Sequence, residues 1–217
     1  MRIGVLGTGM VGPAIATKLV SLGHDVRMGS REAGNEKAVA WAAEAGEGAS
    51  EGNFADAASH GELVVNCTAG VASLEALGAA GEDNLAGKVL IDIANPLDFS
   101  HGMPPTLAFC NDDSLGERIQ AAFPAARVVK ALNTMNCQVM VEPTRVPGDH
   151  AVFISGDDED AKREVVGLLG SFGWPRERIV DLGGISAARG TEMYLPLWLS
   201  LYGQLKTGDF NIGVIRA

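Results

Sequence analysis

The chain has 217 residues, 47% of them hydrophobic, enough for a sizeable core in one large domain or in one domain with a small appendage. Its net charge of −10, with no basic run, excludes nucleic acid as the main partner and requires that any anionic ligand be held by a few placed cations. No window approaches the roughly 20 apolar residues of a membrane span, and the apolar residues near the N-terminus belong to a first strand rather than to a leader.

Cys67, Cys110 and Cys137 form no CxxC pattern and leave an odd count, which points to a reduced, cytoplasmic setting. The histidines are scattered outside any zinc-ligand spacing, so no metal site is expected.

A short apolar run, Ile3 to Leu6, leads into Gly7-Thr8-Gly9-Met10-Val11-Gly12, and apolar residues then recur at Val11, Ile15, Leu19 and Leu22. This reads as strand, glycine turn and helix. Gly7 allows the tight turn, Gly9 lets the backbone approach a pyrophosphate, and Gly12 lets the helix lie close on the sheet. Backbone N–H groups near Gly9 to Val11 would face the phosphates with the helix dipole behind them. Gly23 ends the helix, and His24 to Met28 resumes as a second strand.

After that strand a carboxylate would bind the ribose hydroxyl of NAD, but the chain has Gly29-Ser30-Arg31. Ser30 offers a hydroxyl and Arg31 a fixed, forked cation, the groups a 2′-phosphate needs, and Lys37 adds a point charge nearby. NADP(H) is therefore the dinucleotide expected.

A helix over Glu36 to Ala45 follows, then a link through Gly48 and Gly52 to a helical piece near Phe54 to Ala58. Leu63 to Cys67 is a buried strand, and Thr68-Ala69-Gly70 is a tight turn at its carboxyl end, where it faces the dinucleotide. Cys67 itself reads as a small buried hydrophobe. Lys88 to Ile93 forms the next strand, ending in Ala94-Asn95-Pro96, and the Pro-rich stretch Leu97 to Thr106 is a candidate lid or substrate wall. Ser114 or Asp113 can cap a helix through Ala122, and Arg127 to Leu132 is a strand ending in Asn133-Thr134.

Gly148 marks the boundary between a Rossmann domain, 1–148, and a small C-terminal unit, 149–217. Beyond it come a strand over Ala151 to Ser155, a helix opened by the acids Asp157 to Asp160, and a last strand over Arg178 to Leu182. Arg189 and Glu192, three apart on one helical face, suit an intrahelical ion pair. Met193 to Tyr202 is apolar nearly all round, so it must be buried against the first domain or against a second copy of the chain. The fold class is thus α/β, a Rossmann-type doubly wound, mainly parallel sheet with a small C-terminal α/β extension ending in an apolar helix.

GTGMVG, GSR after the second strand, KALNT, AARGTE and the closing FNIGVIR together resemble the NADPH-dependent coenzyme F420 reductases, a family related to the cytoplasmic domain of the STEAP metalloreductases. The resemblance implies hydride transfer between NADP(H) and the deazaflavin coenzyme F420. It implies that Thr8 to Val11 hold the pyrophosphate, and that Ser30, Arg31 and Lys37 hold the 2′-phosphate. It further implies that Thr68 to Gly70 and Asn95-Pro96 border the nicotinamide, and that Met103-Pro104 and Asn133 to Gln138 border the deazaflavin. Asn136-Cys137-Gln138 departs from the family pattern.

Direct hydride transfer requires no acid-base side chain, so no catalytic residue is named. An acidic tail on the acceptor calls for local cations at the cleft mouth, and Arg127, Lys130, Arg145 and Arg189 are candidates, Lys130 being the one at a central strand's carboxyl end. The alternatives are an NADPH-dependent flavin or imine reductase and a non-catalytic NADP-binding redox sensor. All of these deal with small-molecule redox carriers, and a homodimer through the apolar helix is expected.

Overall fold

The computed structural model describes residues 1–215; Arg216, the arginine of the closing FNIGVIR motif, lies outside the described residues. In the first half, β1 (Arg2–Leu6), β2 (Asp25–Ser30), β3 (Ala49–Asn53), β4 (Leu63–Asn66) and β5 (Val89–Asp92) alternate with helices. These are α1 (Val11–Ser21), α2 (Glu36–Ala45), α3 (Phe54–His60), α4 (Ser73–Ala80) and the short α5 (Glu82–Leu85). A two-stranded hairpin, β6 (Leu97–Asp98) and β7 (Thr106–Leu107), precedes α6 (Leu115–Ala122), β8 (Arg127–Ala131) and α7 (Cys137–Val141). The chain ends with β9 (Val152–Ser155), α8 (Glu159–Phe172), β10 (Ile179–Asp181), α9 (Ala188–Met193) and α10 (Leu195–Leu205).

One eight-stranded sheet has the order β10-β9-β8-β5-β4-β1-β2-β3. Pairing is parallel from β3 through β8 and antiparallel between β8 and β9. Helices cover both faces, so successive residues of a strand enter different cores. In β4, Leu63 and Val65 join α1 and α8 through Ile15, Leu19 and Leu169, whereas Val64 joins α3, α4 and α6 through Phe54, Leu77 and Ile119. Each fully buried aliphatic side chain contributes about 1.5–3 kcal/mol relative to an exposed one.

Between β8 and β9, across Gly148, the sheet changes from parallel to antiparallel pairing. Val152, Ile154 and Val165 beyond Gly148 share a core with Val129 and Val139 before it.

The strand β3 corrects the expected link through Gly48 and Gly52. Its sequence, ASEGN, has no apolar run because it is an edge strand paired to β2 on one side, from Val26↔Ala49 to Ser30↔Asn53. Asn53 also caps α3 by a capping box with Asp56. The acids at the start of α8 serve the fold: Asp158 caps the helix at Ala161 N, and Asp157 accepts from Ile185 N.

The apolar helix α10 is not buried against its own chain, which corrects that half of the expectation. Leu195 is its buried residue among those described, while Leu197, Tyr202 and Leu205 are about half exposed.

Candidate active site

A cleft of about 670 Å³ opens at the carboxyl edge of the sheet, between the β1–α1 turn, the loop after β2, and α4. Its floor is the glycine turn. Gly7 has φ +116°, and a Cβ there would stand 2.6 Å from the Cys67 carbonyl oxygen; a Cβ on Gly12 would stand 1.9 Å from the Gly7 carbonyl oxygen. Both are glycine because the fold needs them to be. Gly9 is different, since a Cβ there meets nothing within 4 Å. What it would fill is the cleft.

The N-terminus of α1 is open to the same space. No side chain caps it and no acid occupies its first turn; Met10, the N-cap residue, is 83% exposed. The first N–H groups of a helix lack intrahelical acceptors, and an uncapped end of this kind attracts an anion.

At the other end of the cleft stand Ser30, Arg31, Glu32 and Asn35. Arg31 is exposed, belongs to no ion pair among the described residues, and is the one cation of the lining, which also contains Glu32 and Glu75. The Ser30 hydroxyl donates to the Glu32 carbonyl at 2.6 Å, so its proton is committed to shaping the loop. Asn35 accepts from Lys37 N and Ala38 N through Oδ1, which leaves its amide N–H groups for a ligand. Lys37 is exposed on the first turn of α2 and is not part of the lining.

Sequence reasoning missed Asn35 and the opposite wall, where Ala72, Ala76 and Ala79 of the α4 region face Phe54. The signal was available: Ala72, Ala76 and Ala79 recur at helical spacing, which puts small side chains on one face.

Cys67 and Thr68 continue the lining toward the ends of β4, β5 and β8. Burial, reinforced by the Asp92 and Cys137 charges, pushes the Cys67 thiol well above the usual thiol range, so it acts as a packed apolar group. Thr68 Oγ1 donates to Asn66 Oδ1 at 2.7 Å and lies 2.9 Å from Ser73 Oγ. Ala69 lines the cleft, while Gly70 turns away from it, with backbone so close to Asn95 that a Cβ would stand 2.0 Å from the Asn95 carbonyl oxygen. Asn95 and Asn133 exchange hydrogen bonds: Asn95 Nδ2 donates to the Asn133 carbonyl and Asn133 Nδ2 to Asn95 Oδ1, each at 2.9 Å.

Thr68 to Gly70, Asn95-Pro96 and Asn133 are thus brought together, the last three residues forming the wall beyond the lining. The hairpin β6–β7 rests on the turn at 70–72 and leaves Phe99 and Met103 exposed, 56% and 75%, beside a 60% exposed Val71.

The candidate cations for an acidic tail are not available. Lys130 is 1% exposed and is bonded to Asp92 Oδ2 and Glu192 Oε1, each at 2.8 Å. Arg189 pairs with Glu117 at 2.6 Å, which holds the Glu117 carboxyl below the usual carboxylate range. The expected Arg189–Glu192 pair is therefore absent. Glu192 instead turns inward, because the N–H groups of Leu115 and Gly116 at the start of α6 and the Lys130 ammonium all require it as acceptor. Arg145 is taken by Asp209, and Arg127, at the start of β8, by Glu164 and the Gly87 carbonyl.

A family described as NADP oxidoreductase, coenzyme F420-dependent, matches residues 2–96. The F420-dependent NADP reductase of Methanothermobacter marburgensis is 31% identical over 99% of this chain and 97% of its own. The rat metalloreductase STEAP3 is 28% identical, over 91% of this chain and 38% of its own length. A crystal structure from Arthrobacter sp. FB24, itself provisionally assigned as an F420-dependent NADP reductase, superposes with a TM-score of 0.93 at 52% identity over the whole of both chains.

Proposed function

The chain belongs to the F420-dependent NADP reductase family, and from that premise we propose that it transfers a hydride between NADP(H) and the deazaflavin coenzyme F420. The observation that carries the reading is Arg31, an unpaired cation after β2 in a cleft whose other charged residues are acids. The cleft fits NADP(H) along its length. Gly7, Thr8, Gly9, Met10, Val11 and Gly12 receive the pyrophosphate on an uncapped helix end; Arg31 with Asn35 holds the 2′-phosphate; Phe54 and the α4 alanines enclose the adenine. The nicotinamide half lies toward Thr68 to Gly70, Asn95, Pro96 and Asn133.

The reaction moves a hydride directly between nicotinamide C4 and deazaflavin C5, and both carriers bring their own reactivity. What this chain supplies is orientation and exclusion of water, which by themselves lower a barrier by several kcal/mol. The exposed apolar side chains of Val71, Phe99 and Met103 suit the flat acceptor. No proton transfer step is assigned to a side chain.

Stopped-flow mixing of NADPH-loaded protein with F420 and, separately, with flavin mononucleotide tests this. Oxidation by the deazaflavin faster than by the flavin is expected. Fast oxidation by flavin alone overturns the acceptor, and binding without oxidation by either makes the protein a sensor.

The same reading includes a homodimer. Leu197, Tyr202 and Leu205 of α10 are exposed, and Trp198 stacks between Tyr202 and Phe210 at centroid separations of 5.3 and 5.4 Å. A face of this composition is covered in solution by its symmetry mate. Light scattering at micromolar concentration is expected to give twice the chain mass; a monomer overturns it. A cytoplasmic setting is inferred from the unpaired cysteines, and no described helix is long and apolar enough to cross a membrane.

A further inference from the structure

Behind the nicotinamide-side wall lies a buried charged group that hydride transfer itself does not use. Asp92 ends β5, Lys130 lies in β8 and Glu192 in α9; their exposures are 0%, 1% and 2%. Three acceptors surround the ammonium: Asp92 Oδ2, Glu192 Oε1 and the Ala94 carbonyl, the last in a short hydrogen bond. All three of its N–H groups are thereby used. Burial opposes the charge on Lys130, but Asp92 and Glu192 outweigh it and hold the ammonium above the ordinary lysine value.

Each carboxylate reaches onward. Asp92 Oδ1 accepts from Ala94 N at 3.2 Å and from Asn66 Nδ2 at 2.8 Å, and Asn66 in turn accepts from Thr68, a cleft residue. Glu192 accepts from the first two N–H groups of α6. One ammonium thus connects the turn after β4, the turn after β5, the start of α6 and the α9–α10 segment. The adenine end has no part in it: Ser30 and Asn35 bond within their own loop, and neither Arg31 nor the uncapped start of α1 is tied to the Lys130 group.

An ordinary core would place apolar residues at such positions, because a buried ion pair is seldom more stabilising than well-packed hydrophobes of the same volume. What a fully bonded network adds is fixed geometry.

We propose that Lys130, with Asp92, is a positioning residue for the nicotinamide half of the dinucleotide: it fixes Ala94-Asn95-Pro96 and, through Asn66, Thr68 as one rigid wall. The proposal rests on the assignment of NADP(H) to this cleft, and its test separates the two ends of that ligand. Adenosine 2′,5′-bisphosphate carries the adenine and 2′-phosphate but no nicotinamide.

In Lys130→Met, binding of this fragment should stay within about twofold of the parent, while NADPH should weaken by about tenfold and hydride transfer to F420 should slow by roughly 10- to 100-fold, the range for a misplaced reacting ring. Lys130→Met leaves two buried carboxylates without their cation, so Asp92→Asn is the companion variant. It keeps the volume and leaves one ammonium facing one carboxylate. The same split between fragment and NADPH is expected there.

Equal weakening of fragment and NADPH in a folded variant means a general structural role and overturns the proposal, as does parental binding of both with a parental transfer rate. Failure of the unsubstituted protein to oxidise NADPH with F420 would remove the acceptor reading and leave the binding comparison intact. Failure of the unsubstituted protein to bind the fragment would remove the assignment of the cleft and this proposal with it.

Discussion

Gly9→Val is expected to give a folded protein that binds neither NADPH nor NADH. The site accepts the side chain as far as the fold is concerned, because no atom lies within 4 Å of the new Cβ and the backbone is not in the left-handed region. On the proposed assignment, the same volume would stand where the pyrophosphate approaches the open end of α1. Each hydrogen bond to a charged group contributes about 1.5–3 kcal/mol, so losing two of them lowers affinity by roughly 10²- to 10⁴-fold. Gly12→Val supplies the contrast, since its Cβ would overlap the Gly7 carbonyl, with 1.9 Å between them, and should cost several kcal/mol of stability. Thermal melting read beside NADPH fluorescence titration separates the two. An unchanged titration for Gly9→Val would remove this turn from the site.

The parallel strands were legible because a strand buried on both faces reads as a continuous apolar run, and Leu63 to Val65 and Val89 to Ile91 are such runs. The glycine turn was legible for a local reason too: strand, turn and helix are contiguous. What was not legible is tertiary. Lys130 was correctly placed at the carboxyl end of a central strand, yet whether it faces ligand or core depends on Glu192, 62 positions later, reaching it from α9. The same long-range contact took Glu192 from Arg189, an i,i+3 neighbour, and gave Arg189 to Glu117. The edge strand β3 escaped because edge strands need not be apolar, and its clearest mark was at its end, where Asn53 and Asp56 have capping-box spacing. The apolar character of Met193 to Tyr202 all round called for cover; only the packed chain shows that the chain itself leaves Leu197, Tyr202 and Leu205 about half exposed.

Arg31→Ala is expected to weaken NADPH by about 1.5–3 kcal/mol, roughly 10- to 150-fold, and to leave NADH nearly unchanged. The structure sharpens the reason. Ser30 commits its proton to the Glu32 carbonyl, and Lys37 is outside the lining, so on the proposed assignment one guanidinium, with help from the Asn35 amide, would meet the charge of the 2′-phosphate. Because Arg31 has no ion-pair partner among the described residues, its removal breaks no internal bridge. The change in affinity therefore reports the ligand contact alone. Glu32 and Glu75 line the cleft in parent and variant alike, so their repulsion cancels in the comparison, and added salt should narrow the difference by screening the guanidinium–phosphate attraction. Lys37→Ala should change NADPH binding by under about 0.5 kcal/mol, the size of an ordinary surface substitution. Paired titrations of both dinucleotides decide the assignment: an equal loss for NADPH and NADH, or a parent protein that prefers NADH, would show that Arg31 does not read the phosphate.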